Sequence, residues 1–192
     1  MTTRRQLLRD GAAFALALGM SPAAVWAEAR RSATPRDPWL ALLCDLVIPD
    51  TDTPGASAAG VPSFVRAAIA LGLRGTSAAG LGAFRVALDQ HSAAHFETLP
   101  RERAEAVLSG IDQAILGPRA PTASTAATPD ADDALAFWRP LKALIVMGYY
   151  SSEIGASQEL QYELTPVHFD PDVPLSEQPR AWSSDWTGVK YA

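Results

Sequence analysis

Cysteine is nearly absent from this 192-residue chain, where Cys44 stands alone. One cysteine makes no internal disulfide. Its solitude also excludes, within this chain, a Cys-x-x-Cys-His haem attachment, a cysteine-ligated iron–sulfur cluster and a zinc knuckle. Its apolar surroundings, Leu42-Leu43-Cys44, give it the role of a small buried hydrophobe. Asparagine is missing altogether, which removes the Asn-Gly hairpin signal, and no segment alternates cleanly between apolar and polar residues. Gly72, Gly75, Gly80 and Gly82 do not follow the spacing of a dinucleotide-binding turn, and neither a phosphate loop nor a Gly-x-Ser-x-Gly elbow occurs. An excess of positive charge is lacking too. With 16 basic and 21 acidic side chains the net charge is −5, which argues against nucleic acid or an anionic membrane as a partner.

What is present begins at the N-terminus. Thr3-Arg4-Arg5-Gln6-Leu7-Leu8 sets two adjacent arginines in a basic start. A mildly apolar stretch rich in Ala and Gly follows over residues 11–20, shorter than the roughly 20 apolar residues a membrane span needs. Val25-Trp26-Ala27 then places small residues where a signal peptidase reads them. These are the parts of a secretory leader, and the Arg4-Arg5 pair favours the twin-arginine route, which carries folded proteins to the periplasm. Cleavage after Ala27 would remove three arginines and one aspartate, leaving a still more acidic chain. The alternative is an amphipathic N-terminal helix that stays on the protein. The organisation expected is a leader over 1–27, a helical domain over 28–164 and an extended tail over 165–192.

The body is expected to be all-α, a compact domain of about five helices. Asp37-Pro38 opens the first, with Asp as cap and Pro in the first turn. Trp39, Leu42, Leu43, Leu46 and Val47 then form one apolar stripe, and Pro49 stops it. After the loop 49–60, Phe64, Val65, Ala68 and Ile69 mark a second helix. Residues 72–82 read as a turn. A third helix carries Leu81, Phe84, Leu88, His91 and His95 on one side. In a fourth, from Pro100, Ala104, Val107, Leu108, Ile111 and Ile115 point inward while Asp112 faces out. Residues 118–128 have no periodicity and read as a surface loop. Beyond Pro129 the longest apolar segment predicts the central buried helix, kinked or split at Pro140. From Thr165 onward prolines prevent regular structure. Yet Phe169, Trp182 and Trp186 are too apolar for a disordered tail, so it must lie on its own helices or on a partner.

Two constellations bear on chemistry. His91 and His95, spaced one helical turn apart, could share a metal ion, which would make the chain a stand-alone periplasmic metal-dependent enzyme. The intervening Ser92-Ala93-Ala94 lacks the glutamate of a zinc protease, and a hydrogen-bonded pair at the core's edge is the plainer reading. Asp50-Thr51-Asp52 could suggest calcium, but position twelve of such a loop is Val61, not glutamate. Turn-fixing bonds from Asp and Thr side chains to backbone amides explain the pattern better.

The stretch Ile48-Pro49-Asp50-Thr51-Asp52-Thr53-Pro54-Gly55-Ala56 with Gly60-Val61-Pro62, the stretch Met147 to Gly155, and the ending Asp170 to Leu175 through Trp182 together resemble the gluconate 2-dehydrogenase subunit 3 family. The resemblance implies a small helical subunit, non-catalytic and without a cofactor of its own, bound to a large FAD-dependent flavoprotein of the glucose–methanol–choline type. It implies further that electrons pass to a cytochrome c subunit, that the small subunit assists folding and export, and that any membrane attachment is through the complex. No catalytic residues carry over. The partner-binding residues expected are Asp50, Asp52, Pro54, Tyr149, Tyr150, Phe169, Trp182 and Trp186, with Trp enriched among interface anchors.

Overall fold

Asp37 fixes where the first predicted helix begins. In the computed structural model, which describes residues 21–31, 37–117, 131–163 and 180–183, its carboxylate accepts the Leu40 amide at 3.4 Å, and Pro38 occupies the first turn, where no amide hydrogen is needed. Seven α-helices are described: α1 Pro22–Arg31, α2 Pro38–Val47, α3 Val61–Ala70, α4 Ala78–Ser92, α5 Arg101–Leu116, α6 Ala131–Ala136 and α7 Trp138–Tyr150. Short 3-10 turns span Leu73–Gly75 and Phe96–Thr98, and a π-turn spans Gly155–Glu159. Two two-residue strands, β1 Gln161–Tyr162 and β2 Trp182–Ser183, pair in parallel. Among the described residues no single helix is long and apolar enough to cross a membrane.

Helix α3 is the hub. Val61, Phe64, Val65, Ala67, Ala68 and Ile69 are all buried, on more than one face, and α3 packs against α1, α2 and α7. At Gly148 of α7 a Cβ would lie 2.7 Å from the Phe64 ring, so glycine lets the two helices approach. A second nucleus surrounds Phe84 of α4, whose ring centroid lies 6.1 Å from Trp39 and 6.0 Å from Trp138, spacings typical of attractive aromatic pairs. Cys44 of α2 is fully buried.

The structure is all-α as the sequence implies, but its helices differ in detail. Proline explains the split near Pro140: its ring collides with the carbonyl four residues back, Ala136, so α6 ends there and α7 starts beyond Phe137 with Pro140 in its first turn. Helix α7 is not buried all round. Leu141, Leu144, Ile145 and Tyr149 face inward, Val146 is exposed, and α3 shares the centre. Helix α4 starts earlier than expected, capped by Ser77, whose hydroxyl accepts the Gly80 amide at 3.1 Å. It also ends earlier, at Ser92, because Ala93 adopts a left-handed conformation that terminates the spiral. Helix α1 straddles the expected cleavage point, with Pro22 to Ala27 in the stretch assigned to the leader and Glu28 to Arg31 beyond it. The loop over 118–128 falls outside the described residues.

Asp112 does not simply face out. Its carboxylate accepts the Trp138 indole N–H at 2.9 Å and the Lys142 ammonium at 2.6 Å, bracing α5 against α7. Burial alone would raise its pKa, but those two donors outweigh burial and hold it below the ordinary aspartate value. Asp89 behaves alike: burial opposes, while the Phe96 amide and the His95 ring pull its pKa down. A depressed carboxylate contributes stability that is present above its unfolded pKa, about 3.9, and lost as pH falls through the folded value. Urea midpoints should therefore hold between about pH 7 and 5 and fall below about pH 4. Asp112→Ala should cost roughly 1–3 kcal/mol at neutral pH, measured by urea denaturation, and should weaken the acid-induced loss.

Candidate partner-binding face

The loop between α2 and α3 is stitched from within. Asp50 accepts the Gly55 amide at 2.5 Å, and the Ala56 amide returns to the Ile48 carbonyl at 2.9 Å. Gly55 is needed there, since a Cβ would lie 2.7 Å from the Asp50 amide and 2.8 Å from the Ile48 carbonyl. Farther along, Ser57 donates its amide to Asp45 at 2.8 Å and its hydroxyl to the Ala41 carbonyl at 3.1 Å, tying the loop to α2. Asp50 and Thr51 thus organise backbone, as the sequence reading holds, whereas Asp52 takes the Thr51 hydroxyl instead.

The second motif meets this loop. Helix α7 ends at Tyr150, and Ser152, buried in the following turn, donates to the Tyr149 carbonyl at 2.6 Å and accepts the Gly155 amide at 3.0 Å. The chain then tightens into Gly155–Glu159. Two bonds cross to the loop: the Tyr149 hydroxyl donates to the Pro54 carbonyl at 2.9 Å, and the Thr53 hydroxyl donates to Glu159 at 2.6 Å. The described part of the tail joins the same place. Arg180 lies 2.9 Å from Asp52, and the Gln161 amide donates to the Ala181 carbonyl at 2.9 Å as β2 pairs with β1. The Asp52 carboxyl is held below its usual pKa, chiefly by the Thr51 hydroxyl, with Arg180 adding to the effect.

Three segments far apart in sequence therefore form one face. Asp50 and Asp52 are exposed and Pro54 is half-buried. Tyr150 is 42% exposed at the end of α7, and Tyr162 at 45% and Trp182 at 54% stand on opposite sides of the paired strands, since Trp182 pairs with Gln161 and Tyr162 with Ser183. Tyr149 corrects the expectation. At 1% exposure it is no contact surface, and its hydroxyl instead braces the loop from below. Phe169, Trp186, Arg4 and Arg5 lie outside the described residues. Ala27 is an exposed position on α1. Thr53, Ser152 and Glu159 were missed as positioning residues; a hydroxyl residue beside the motif glycines was the available signal.

The histidine pair does not assemble. His95 falls beyond the end of α4, is 81% exposed and sits 3.1 Å from Asp89; His91 is exposed too, and Phe84, Ala87 and Leu88 hold the inward stripe. The physical reason is the left-handed Ala93, which breaks the one-turn spacing on which a shared ligand site depends. Among the described residues no group of three or more His, Cys, Asp or Glu could hold a metal ion. Burial, aided by the Asp45 and Asp37 charges, pushes the Cys44 thiol far up, so it stays protonated and unreactive.

A model of the gluconate 2-dehydrogenase subunit 3 family matches residues 36–167, which takes in α2 to α7, the loop and the Gly155 turn. The ending from Asp170 to Trp182 lies beyond that range. No curated protein matches the chain significantly, and no solved structure does.

Tyr149→Phe tests the brace. It should lower stability by about 1 kcal/mol, the net worth of one hydrogen bond. It should also speed hydrogen exchange at the Gly55 and Ala56 amides while leaving α3 protected. Unchanged exchange in the loop would show that the bond to Pro54 does not hold it.

Proposed function

Because the chain belongs to the gluconate 2-dehydrogenase subunit 3 family, we propose that it is the non-catalytic small subunit of an exported sugar, glycoside or sugar-acid dehydrogenase. The catalytic partner in this reading is a large FAD-dependent flavoprotein of the glucose–methanol–choline type, which holds the flavin and the substrate. A cytochrome c subunit takes the electrons onward. The twin-arginine leader with Arg4 and Arg5 carries the folded complex to the periplasm, and the small subunit assists the flavoprotein's folding and export.

The observation that carries this reading is the convergence of the loop and the α7 turn, the two stretches of the family resemblance that lie within the matched range, on one braced face. The Thr53–Glu159 contact bridges 106 residues of sequence to build it. Rigid backbone beneath exposed aromatic rings suits a docking surface, because little ordering entropy remains to be lost when a partner binds. Tyr150 and Trp182 are the anchors, with acidic Asp50 and Asp52 at the rim.

Co-expression with a leaderless FAD-dependent dehydrogenase of the glucose–methanol–choline type tests both parts. Replacing Arg4 and Arg5 by lysine should leave the complex intact in the cytoplasm and remove dehydrogenase activity from the periplasm. The double variant Tyr150→Ala, Trp182→Ala should weaken partner binding at least about tenfold, with the helical circular dichroism unchanged. A flavoprotein that reaches the periplasm without this chain refutes the export role. Undiminished copurification of the double variant refutes the face.

A further inference from the structure

Helix α1 is built into the body of the protein. Val25 is fully buried, and Ala29, one turn on, is 8% exposed. Between them Trp26 lies on Phe64, the rings 5.1 Å apart and inclined at 44°. Its indole N–H donates to the Ser151 hydroxyl at 3.0 Å, and that hydroxyl donates onward to the Met147 carbonyl at 2.6 Å. The ring also covers Gly60, where a Cβ would stand 3.5 Å from it, an ordinary contact distance. Trp26 thus touches the start of α3, its middle, and the turn after α7, the elements that carry the face described above.

The bond after Ala27 lies inside this helix. Val25 and Trp26 are on one side of it and the buried Ala29 on the other. A peptidase takes its substrate as extended chain, so cutting here requires α1 to leave its groove and unwind. On a route that carries folded cargo, α1 is seated before a peptidase outside the membrane meets it. Removing residues up to Ala27 would also uncover the Phe64 ring and leave Ser151 without its indole partner.

We propose that the groove formed by Gly60, Phe64 and Ser151 is a permanent docking site for residues 22–31 of this chain, so that the chain is not cut after Ala27 and any leader processing falls before Pro22. The docking stands on the packing alone; its consequence for processing rests on the export reading.

The test uses the full chain with its own leader. Intact mass and N-terminal sequencing of the periplasmic protein should give a start at or before Pro22, and a start at Glu28 overturns the proposal. If the chain stays in the cytoplasm, the export reading fails, and docking is judged on that cytoplasmic chain. There, exchange of the Val25–Arg31 amides should be slowed at least about 100-fold relative to unstructured chain. Trp26→Ala should abolish that protection and lower Tm by roughly 5–10 °C, with Trp26→Phe in between, since it keeps a ring on Phe64 but loses the bond to Ser151. Unprotected amides together with a Tm unmoved by Trp26→Ala overturn the docking whatever the fate of export.

Discussion

The Phe64 ring, laid against the bare backbone of Gly148, sets the geometry from which the rest follows. Glycine at that position brings α7 against α3 closely enough that a methyl group would collide with the ring. Phe64 also packs against Trp26 of α1, the ring centroids 5.1 Å apart. One aromatic side chain is thereby shared among three helices, and the end of α7 is delivered to the start of α3. Only with that approach in place can the Tyr149 hydroxyl reach Pro54 and Thr53 reach Glu159. The candidate face is therefore a consequence of helix packing rather than of the loop's own preferences.

The loop contributes stiffness of its own. Asp50 and Thr51 take backbone amides of the loop itself, which is why a sequence that looks like a cation site behaves as a turn. Chemistry is directed the same way elsewhere. Asp112 joins α5 to α7, Asp89 caps the turn at Phe96, and Cys44 is sealed in the core. Polar groups in this body hold elements together.

The local grammar of the chain was legible. Asp37-Pro38 opens a helix and Pro49 closes it; Pro140 divides the last long apolar segment; apolar residues recurring every three or four positions identify α3 and α5. These signals act through neighbours a few residues away, so a linear reading captures them. The family resemblance likewise depended on short stretches, and the match over residues 36–167 agrees with two of them. The errors lay where local signals were weak. Ala93 in a left-handed conformation carries no sequence mark, and it was enough to remove His95 from the helix on which a metal site had been imagined.

By itself the sequence determined the all-α class, most helix boundaries, the acidic character, the leader-like start and the resemblance to a dehydrogenase subunit. Tertiary structure alone decided which of two adjacent tyrosines is buried, that the end of α7 meets the α2–α3 loop, and that Trp26 packs against the core. The reason is range. Helix starts and stops depend on contacts within a turn of the chain, whereas the buried Tyr149 reaches Pro54 in a loop 95 residues away, and the Trp26–Ser151 bond spans 125 residues. No pattern confined to one segment encodes which distant segment will cover it.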